Sequence, residues 1–128
     1  MSPQLLSFAL PLAGGILTPF ERGFVVHLVA DWLLQNNWMA KNKSSLVHPA
    51  AWVHALIHAS CLALALGWTA GVALGLMHLI VDTRMPLSWW VRTFKNCGNE
   101  PEAQHIAIWA DQVIHIACIA AWLSIVPP

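Results

Sequence analysis

The chain has 128 residues, of which 58% are hydrophobic and only 9% are charged, and its formal net charge is zero. An average soluble domain carries roughly 25% charged residues, so six basic and six acidic side chains are too few to cover a soluble fold of this length. The composition therefore predicts an integral membrane protein, whose partner is the lipid bilayer, and the zero net charge argues against a nucleic-acid partner.

The N-terminal stretch from Gln4 to Phe20 is apolar but contains two prolines and a Gly-Gly pair. A membrane-spanning helix needs about 20 consecutive apolar residues, and this run is both shorter and interrupted. It therefore predicts a broken, re-entrant or interfacial segment. We assign residues 1–22 to an apolar N-terminal extension and residues 23–126 to a transmembrane domain.

Four longer apolar stretches follow, and each predicts a helix. They run from about Gly23 to Ala40, Leu46 to Trp68, Thr69 to Met85 and Ala103 to Val126. Thr69 is the predicted cap of the third helix, and Asn99 or Glu100 that of the fourth. Gly71 and Gly75 give the third helix a GxxxG face, which permits close helix approach. The predicted fold class is all-α, an up-down-up-down membrane bundle of four main helices plus the broken N-terminal segment.

Two basic segments connect the predicted helices, at residues 41–45 and 84–99. Basic residues are enriched in cytoplasmic loops, so both segments are predicted on the cytoplasmic side. Residues 86–99 combine three aromatic side chains with Arg92 and Lys95, a mixture suited to the headgroup region. These residues are therefore predicted to form an interfacial loop.

Each predicted helix carries two polar residues four positions apart. The pairs are His27/Asp31, His54/His58, His78/Asp82 and Asp111/His115. Residues with this spacing lie on one face of a helix, so four such faces can converge inside a bundle. The chain has only three Asp, and each has a His four positions away; a random arrangement gives this with a probability of about one in a thousand.

Neutral imidazole and carboxylate groups are ligands of zinc, manganese and iron. We therefore predict a site for one or two divalent ions inside the bundle. Its predicted ligands are Asp31, His54, His58, Asp82, Asp111 and His115. His27 and His78 are predicted as catalytic general bases or as further ligands. The alternative is a self-satisfied network of His–Asp pairs that holds the helices together.

Other polar residues lie close to these pairs in the sequence. Gln35 and Gln112 are predicted to hydrogen-bond the metal ligands. Lys43 and Arg84 are predicted to bind an anionic group of the substrate. The two remaining histidines, His48 and His105, lie near predicted helix starts and are expected to be peripheral.

The run from His27 to Gln35, followed by Trp38-Met-Ala and Lys43, resembles the opening signature of a bacterial and phage family known as domain of unknown function 3307. The later pairs match further elements of that family in order, and the resemblance extends from about Gly23 to Ala121. It implies a bacterial inner-membrane protein. More distantly, the pattern resembles that of membrane-bound metal-dependent hydrolases, which implies hydrolysis at the metal site.

The leading functional hypothesis is a metal-dependent hydrolase of a lipid-linked or phosphorylated substrate. A divalent ion near basic side chains can activate water and polarise a phosphoryl oxygen. One alternative is a non-enzymatic protein, either an ion conduit formed by a homo-oligomer or a small subunit of a larger membrane complex. The other is a di-iron redox enzyme, which is less favoured because natural di-iron bundles use Glu ligands and no predicted main helix contains Glu.

Overall fold

The computed structural model describes residues 15–126, so most of the predicted N-terminal extension lies outside the described residues. Residues 15–126 form six α-helices and one π-helix and contain no strand, which confirms the predicted all-α class. The helices are α1 (Pro19–Leu28), the π-helix (Val29–Leu34), α2 (Asn37–Asn42), α3 (Pro49–Leu66), α4 (Trp68–Val81), α5 (Met85–Thr93) and α6 (Pro101–Ile125).

Helix α1 begins at Pro19, four residues before the predicted start, because Thr18 and Glu21 form a capping box. The Glu21 backbone N–H donates to Thr18 Oγ1 at 3.3 Å, and the Thr18 N–H donates to Glu21 Oε2 at 2.6 Å. This reciprocal arrangement satisfies two backbone donors at the helix start. The predicted boundary after residue 22 therefore falls within α1.

The predicted helix from Gly23 to Ala40 is wrong as a single element. Helix α1 continues into the π-helix, which stops at Gln35, where the backbone becomes extended with ψ 124°. Asn36 then caps the separate helix α2 by accepting a hydrogen bond from the Met39 N–H at 3.0 Å. Asn competes with helical hydrogen bonding and favours caps, and this preference breaks the helix.

Helices α3 and α4 form a hairpin joined by one residue, Gly67, whose φ of +99° favours glycine. Gly67 also occupies the cap position of α4, so the predicted Thr69 cap is wrong. As the GxxxG face predicts, the two helices approach closely. A Cβ built on Gly71 would lie 2.5 Å from the Cβ of Ala63, and one built on Gly75 would lie 2.6 Å from the Cβ of Ala59.

The predicted interfacial loop 86–99 is largely helical, because residues 85–93 form α5. Pro86 lies in the first turn of α5, a position where proline favours a helix start. Leu87 and Val91, four residues apart, bury one face of α5, which packs against α6. Arg84, just before α5, has a left-handed backbone with φ 61°.

A group of polar and charged side chains is buried inside the described part of the protein, whereas many large apolar side chains are exposed on its outside. Trp32, Leu33 and Trp109 are 63%, 76% and 71% exposed. Helices α3 and α6 are long and apolar enough to cross a membrane, whereas α4 has only 14 residues. Of the four predicted spanning helices, two thus have the required length.

A candidate metal centre

The interior of the bundle contains ten polar or charged residues, none more than 8% exposed. They are His27, Asp31, Lys43, His54, His58, His78, Asp82, Asp111, Gln112 and His115. The structure thus brings all four predicted pairs together, and it adds Lys43 and Gln112 to them. We call these ten residues the polar cluster.

The α3–α4 hairpin supplies the centre of the polar cluster. His54 Nε2 lies 3.1 Å from His78 Nε2, and Asp82 Oδ2 lies 3.3 Å from His54 Nε2 and 3.1 Å from His78 Nε2. Ligand atoms bound to one tetrahedral zinc at 2.0–2.1 Å are about 3.3 Å from each other. The three atoms therefore have the spacing of one face of a tetrahedral site.

The π-helix and α3 add two further groups. Asp31 Oδ1 lies 3.1 Å from His54 Nε2 and 3.2 Å from His58 Nε2. π-Helical turns occur frequently at functional sites, and here the π-helix carries Asp31. Two sets of residues have ligand atoms within 4.8 Å of one another: Asp31, His54, His58 and His78, and His78, Asp82 and His115.

His115 and Asp82 present two acceptor atoms to each other. His115 Nδ1 lies 2.8 Å from the Asp111 carbonyl oxygen, and because that oxygen can only accept, Nδ1 carries the proton. In neutral His115 the Nε2 atom is then a bare lone pair, 3.6 Å from Asp82 Oδ1. Within the described residues neither atom has a hydrogen-bond partner, although Asp82 Oδ1 lies 3.4 Å from the Lys43 ammonium group. A cation between them would satisfy both.

His54 Nε2 has more polar neighbours than a single ring nitrogen can hydrogen-bond. Besides Asp31, His78 and Asp82, it lies 3.4 Å from Lys43 Nζ. A ring nitrogen has either one N–H or one lone pair, so it satisfies one such contact at a time. Convergence of this kind is typical of atoms that share a central cation.

Lys43, predicted as an anion-binding residue of the site, is buried inside the polar cluster. Its Nζ lies 3.6 Å from Asp31 Oδ1 and 3.4 Å from Asp82 Oδ1. Met39, four residues earlier, is also buried, and residues at that spacing share a helix face. The Met39/Lys43 spacing is therefore the sequence signal that could have indicated the burial of Lys43.

Gln112 connects Asp31 with His27. Its Nε2 donates to Asp31 Oδ2 at 2.6 Å, and its Oε1 lies 3.2 Å from His27 Nε2, where the imidazole N–H can donate. Gln112 is thus hydrogen-bonded to Asp31, one of the predicted metal ligands. His27 lies outside both sets of closely spaced ligand atoms and packs beside the rings of His58 and His115.

A polar cavity of about 220 Å³ adjoins the polar cluster. Its lining consists of Asp31, Trp32, Gln35, Ala40, Lys43, Arg84, Ile108, Asp111 and Gln112. Gln35 Oε1 and Asp111 Oδ1 are buried and have no hydrogen-bond partner in the part of the chain that the structure describes. The cavity therefore brings the predicted anion-binding residues Lys43 and Arg84 beside the carboxylates.

The two remaining histidines are outside the polar cluster. His48 is the N-cap of α3, where its Nδ1 accepts from the Ala50 N–H at 3.1 Å. His105 is exposed on α6. His54 and His58 each leave Nδ1 without a hydrogen-bond partner among residues 15–126, so both rings make their polar contacts through Nε2.

Fold and site together define an all-helical protein with a buried His/Asp group that can bind metal. The family model described as "Protein of unknown function (DUF3307)" matches residues 20–127. The chain therefore belongs to this family, which confirms the resemblance seen in its motifs. No curated protein and no solved structure matches the chain significantly.

Proposed function

We propose that the protein is an integral membrane protein and that its polar cluster binds one divalent metal ion. Two features support insertion into a membrane: the length and apolar character of α3 and α6, and the apolar exterior of the bundle. In a bilayer, buried polar groups are costly and usually functional. The basic segments 41–45 and 84–99 would face the cytoplasm of a bacterial cell.

The proposed ligands are His54, His78 and Asp82, with Asp31 and His58 on the other side of His54. Formal charge favours one ion over two. Three aspartates and one lysine in the polar cluster leave two negative charges, which one divalent ion balances. His115, whose Nε2 lone pair faces Asp82, would complete the group.

We infer that the protein is a metal-dependent hydrolase of a lipid-linked or phosphorylated substrate. The observation that carries this inference is the polar cavity, because a purely structural His–Asp network needs no space beside it. A divalent ion there would supply a Lewis acid and an activated water. Lys43 and Arg84 would hold an anionic substrate group. Asp111, which borders the cavity, would transfer a proton.

A second candidate is a non-enzymatic membrane subunit whose polar cluster is structural. The position of Lys43 favours it, because the ammonium group contacts both Asp31 and Asp82 and offsets part of their charge. A di-iron enzyme has less support. The glutamates Glu21, Glu100 and Glu102 are all exposed, whereas natural di-iron bundles place Glu in the core.

Elemental analysis of detergent-purified protein tests the metal site. The matched variants are His115→Ala in the polar cluster and His105→Ala, which removes an exposed histidine from the same helix. We expect about one equivalent of a transition metal in the wild type and in His105→Ala, and a strong loss in His115→Ala. A wild type without metal, even after incubation with Zn²⁺, Mn²⁺ or Fe²⁺, would support the structural network instead.

Hydrolysis is tested on metal-loaded protein with a panel of phosphoesters, both water-soluble and long-chain. Asp111→Asn keeps the size of the side chain and removes the charge beside the cavity, and Glu102→Gln makes the same change on the exposed face of α6. We expect Asp111→Asn to lower kcat about 100-fold or more and Glu102→Gln to leave it unchanged. Metal-loaded wild type that turns over no substrate would contradict the hydrolase.

A further inference from the structure

We propose that the substrate is an anionic amphiphile whose single hydrocarbon chain lies in a groove between the π-helix and α6, with its headgroup in the polar cavity. The proposal rests on the hydrolase function above and specifies its substrate class. The substrate would enter sideways from the bilayer and would reach the metal centre without leaving the hydrocarbon region.

The groove is a cavity of about 700 Å³ between α1 with the π-helix on one side and α6 on the other. Its lining side chains are apolar or aromatic, with the exception of Gln112. Val25 and Leu33 on its border are 44% and 76% exposed, so the groove opens on the apolar exterior. Its volume lies in the usual range of small-molecule sites, about 300–1,000 Å³.

The groove and the polar cavity meet. Trp32 and Gln112 line both of them, and Gln112 donates to Asp31 of the polar cluster. The polar cavity alone, at about 220 Å³, is below the usual size of a ligand site and suits a headgroup. Together, the groove and the polar cavity form one space with an apolar end and a polar end, which matches the hydrocarbon chain and the headgroup of an amphiphile.

Two cationic side chains, Lys43 and Arg84, line the polar cavity beside two carboxylates, Asp31 and Asp111, so it is a divalent ion bound at the polar cluster that would make the cavity positive and favour an anionic headgroup. Asp31 is already engaged by Gln112, His54 and His58, whereas Arg84 at the border offers a guanidinium group, the side chain best suited to a phosphate. Arg84 is held there by a left-handed backbone, φ 61°, which is uncommon for a residue other than glycine.

A second apolar groove, which meets the first at Trp109, provides an internal control. It has about 750 Å³ and lies between α5 and α6, where its lining includes Trp89, Trp90 and Val113. Within the described residues its lining and that of the polar cavity have no residue in common. A chain in this second groove would not lead its headgroup to the metal centre, so filling it should leave binding unchanged.

The test is binding of hexadecyl phosphate to the full-length protein in detergent, beside hexadecylphosphocholine and inorganic phosphate. Val25→Trp fills the proposed groove and Val113→Trp fills the control groove; both positions are exposed, so both variants should fold. We expect Val25→Trp and Arg84→Gln to raise the Kd for hexadecyl phosphate about tenfold or more. Val113→Trp should stay within about twofold of the wild type.

Fluorescence gives a second measurement that needs no groove-filling variant. A hexadecyl phosphate that carries bromine on its chain should quench Trp32, so Trp32→Phe should reduce the quenching. Trp52→Phe, which changes an exposed tryptophan on α3, should not. Quenching that Trp32→Phe leaves intact would overturn the proposal.

The proposal is also overturned if hexadecylphosphocholine binds as tightly as hexadecyl phosphate, or if inorganic phosphate binds equally well, because then the charge or the chain contributes nothing. Its failure is distinct from that of the hydrolase. Hexadecyl phosphate that binds in the groove, with no phosphoester of the panel turned over, would contradict the hydrolase and leave the groove as a binding site for an anionic amphiphile. Turnover of a water-soluble phosphoester without binding of hexadecyl phosphate would contradict only the groove.

Discussion

Lys43 Nζ lies 3.4 Å from Asp82 Oδ1, although the sequence places Lys43 in a basic loop. The same ammonium group lies 3.6 Å from Asp31 Oδ1, so it contacts two carboxylates that arrive from different helices. A lysine in this position holds the carboxylates together without metal and competes electrostatically with a divalent ion. The stability of the protein and its metal affinity are therefore linked through one side chain.

Replacing Lys43 with Met should make the protein depend more on metal. Without metal, two buried carboxylates lose their cation, and breaking a buried ion pair costs about 3–5 kcal/mol. With Zn²⁺ present, the bound ion neutralises the two carboxylates and stabilises the folded state by mass action. We expect a larger difference in Tm between Zn²⁺ and chelator for Lys43→Met than for the wild type, measured by thermal unfolding in detergent.

Lys41→Met is the matched control, because Lys41 is exposed and lies two residues earlier. Lys41→Met should unfold at close to the wild-type temperature both with Zn²⁺ and with chelator. If Zn²⁺ raises the Tm of Lys43→Met and Lys41→Met equally, the Lys43 ammonium group does not replace the metal ion in neutralising Asp31 and Asp82.

Gly71→Leu should separate α3 from α4. A Cβ at this position would come within 2.6 Å of the Ala59 backbone oxygen, which cannot move away as a flexible side chain can. Overpacking of this kind costs about 1–3 kcal/mol, and it should also reduce the metal content because His54 and His78 are drawn apart. Gly98→Ala, where nothing lies within 4 Å of the added Cβ, should unfold at the wild-type temperature; a similar loss there would contradict the packing argument.

Gln112→Leu should destabilise the polar cluster while keeping the volume of the side chain. It removes the donor to Asp31 Oδ2 and the acceptor near His27 Nε2. An unsatisfied buried polar group costs about 1–3 kcal/mol. Urea unfolding should show this loss, whereas Gln104→Leu, on the exposed face of the same helix, should show almost none. If the two variants unfold alike, Gln112 does not support the cluster.

His48 should contribute to stability and not to metal binding. Its Nδ1 caps the first turn of α3, and loss of a cap costs about 0.5–2 kcal/mol. We expect His48→Ala to lower the free energy of unfolding by this amount and His48→Asp to retain most of it, with unchanged metal content in both. Loss of metal in His48→Ala would place His48 nearer to the site than its geometry indicates.

Helix periodicity predicted the polar cluster better than it predicted the helix boundaries. The spacing of four residues depends only on local helix geometry, and it brought His54 and His78 to the same interior point. The break after the π-helix depends on the capping preference of Asn36, and α5 depends on Pro86, which favours a helix start within a segment that was predicted to be an interfacial loop. The burial of Lys43 was not predicted because its charge suggested a loop, although Met39 on the same helix face is buried as well.

The single residue between α3 and α4 has a consequence for the order of assembly. His54, His78 and Asp82 all lie within or directly after one helical hairpin, so their contact requires the chain to close only a short loop, which happens early. The α3–α4 pair can therefore form one face of the site as soon as it is synthesised. Asp31 precedes the hairpin in the chain and His115 lies on α6, so His115 is synthesised only after the hairpin.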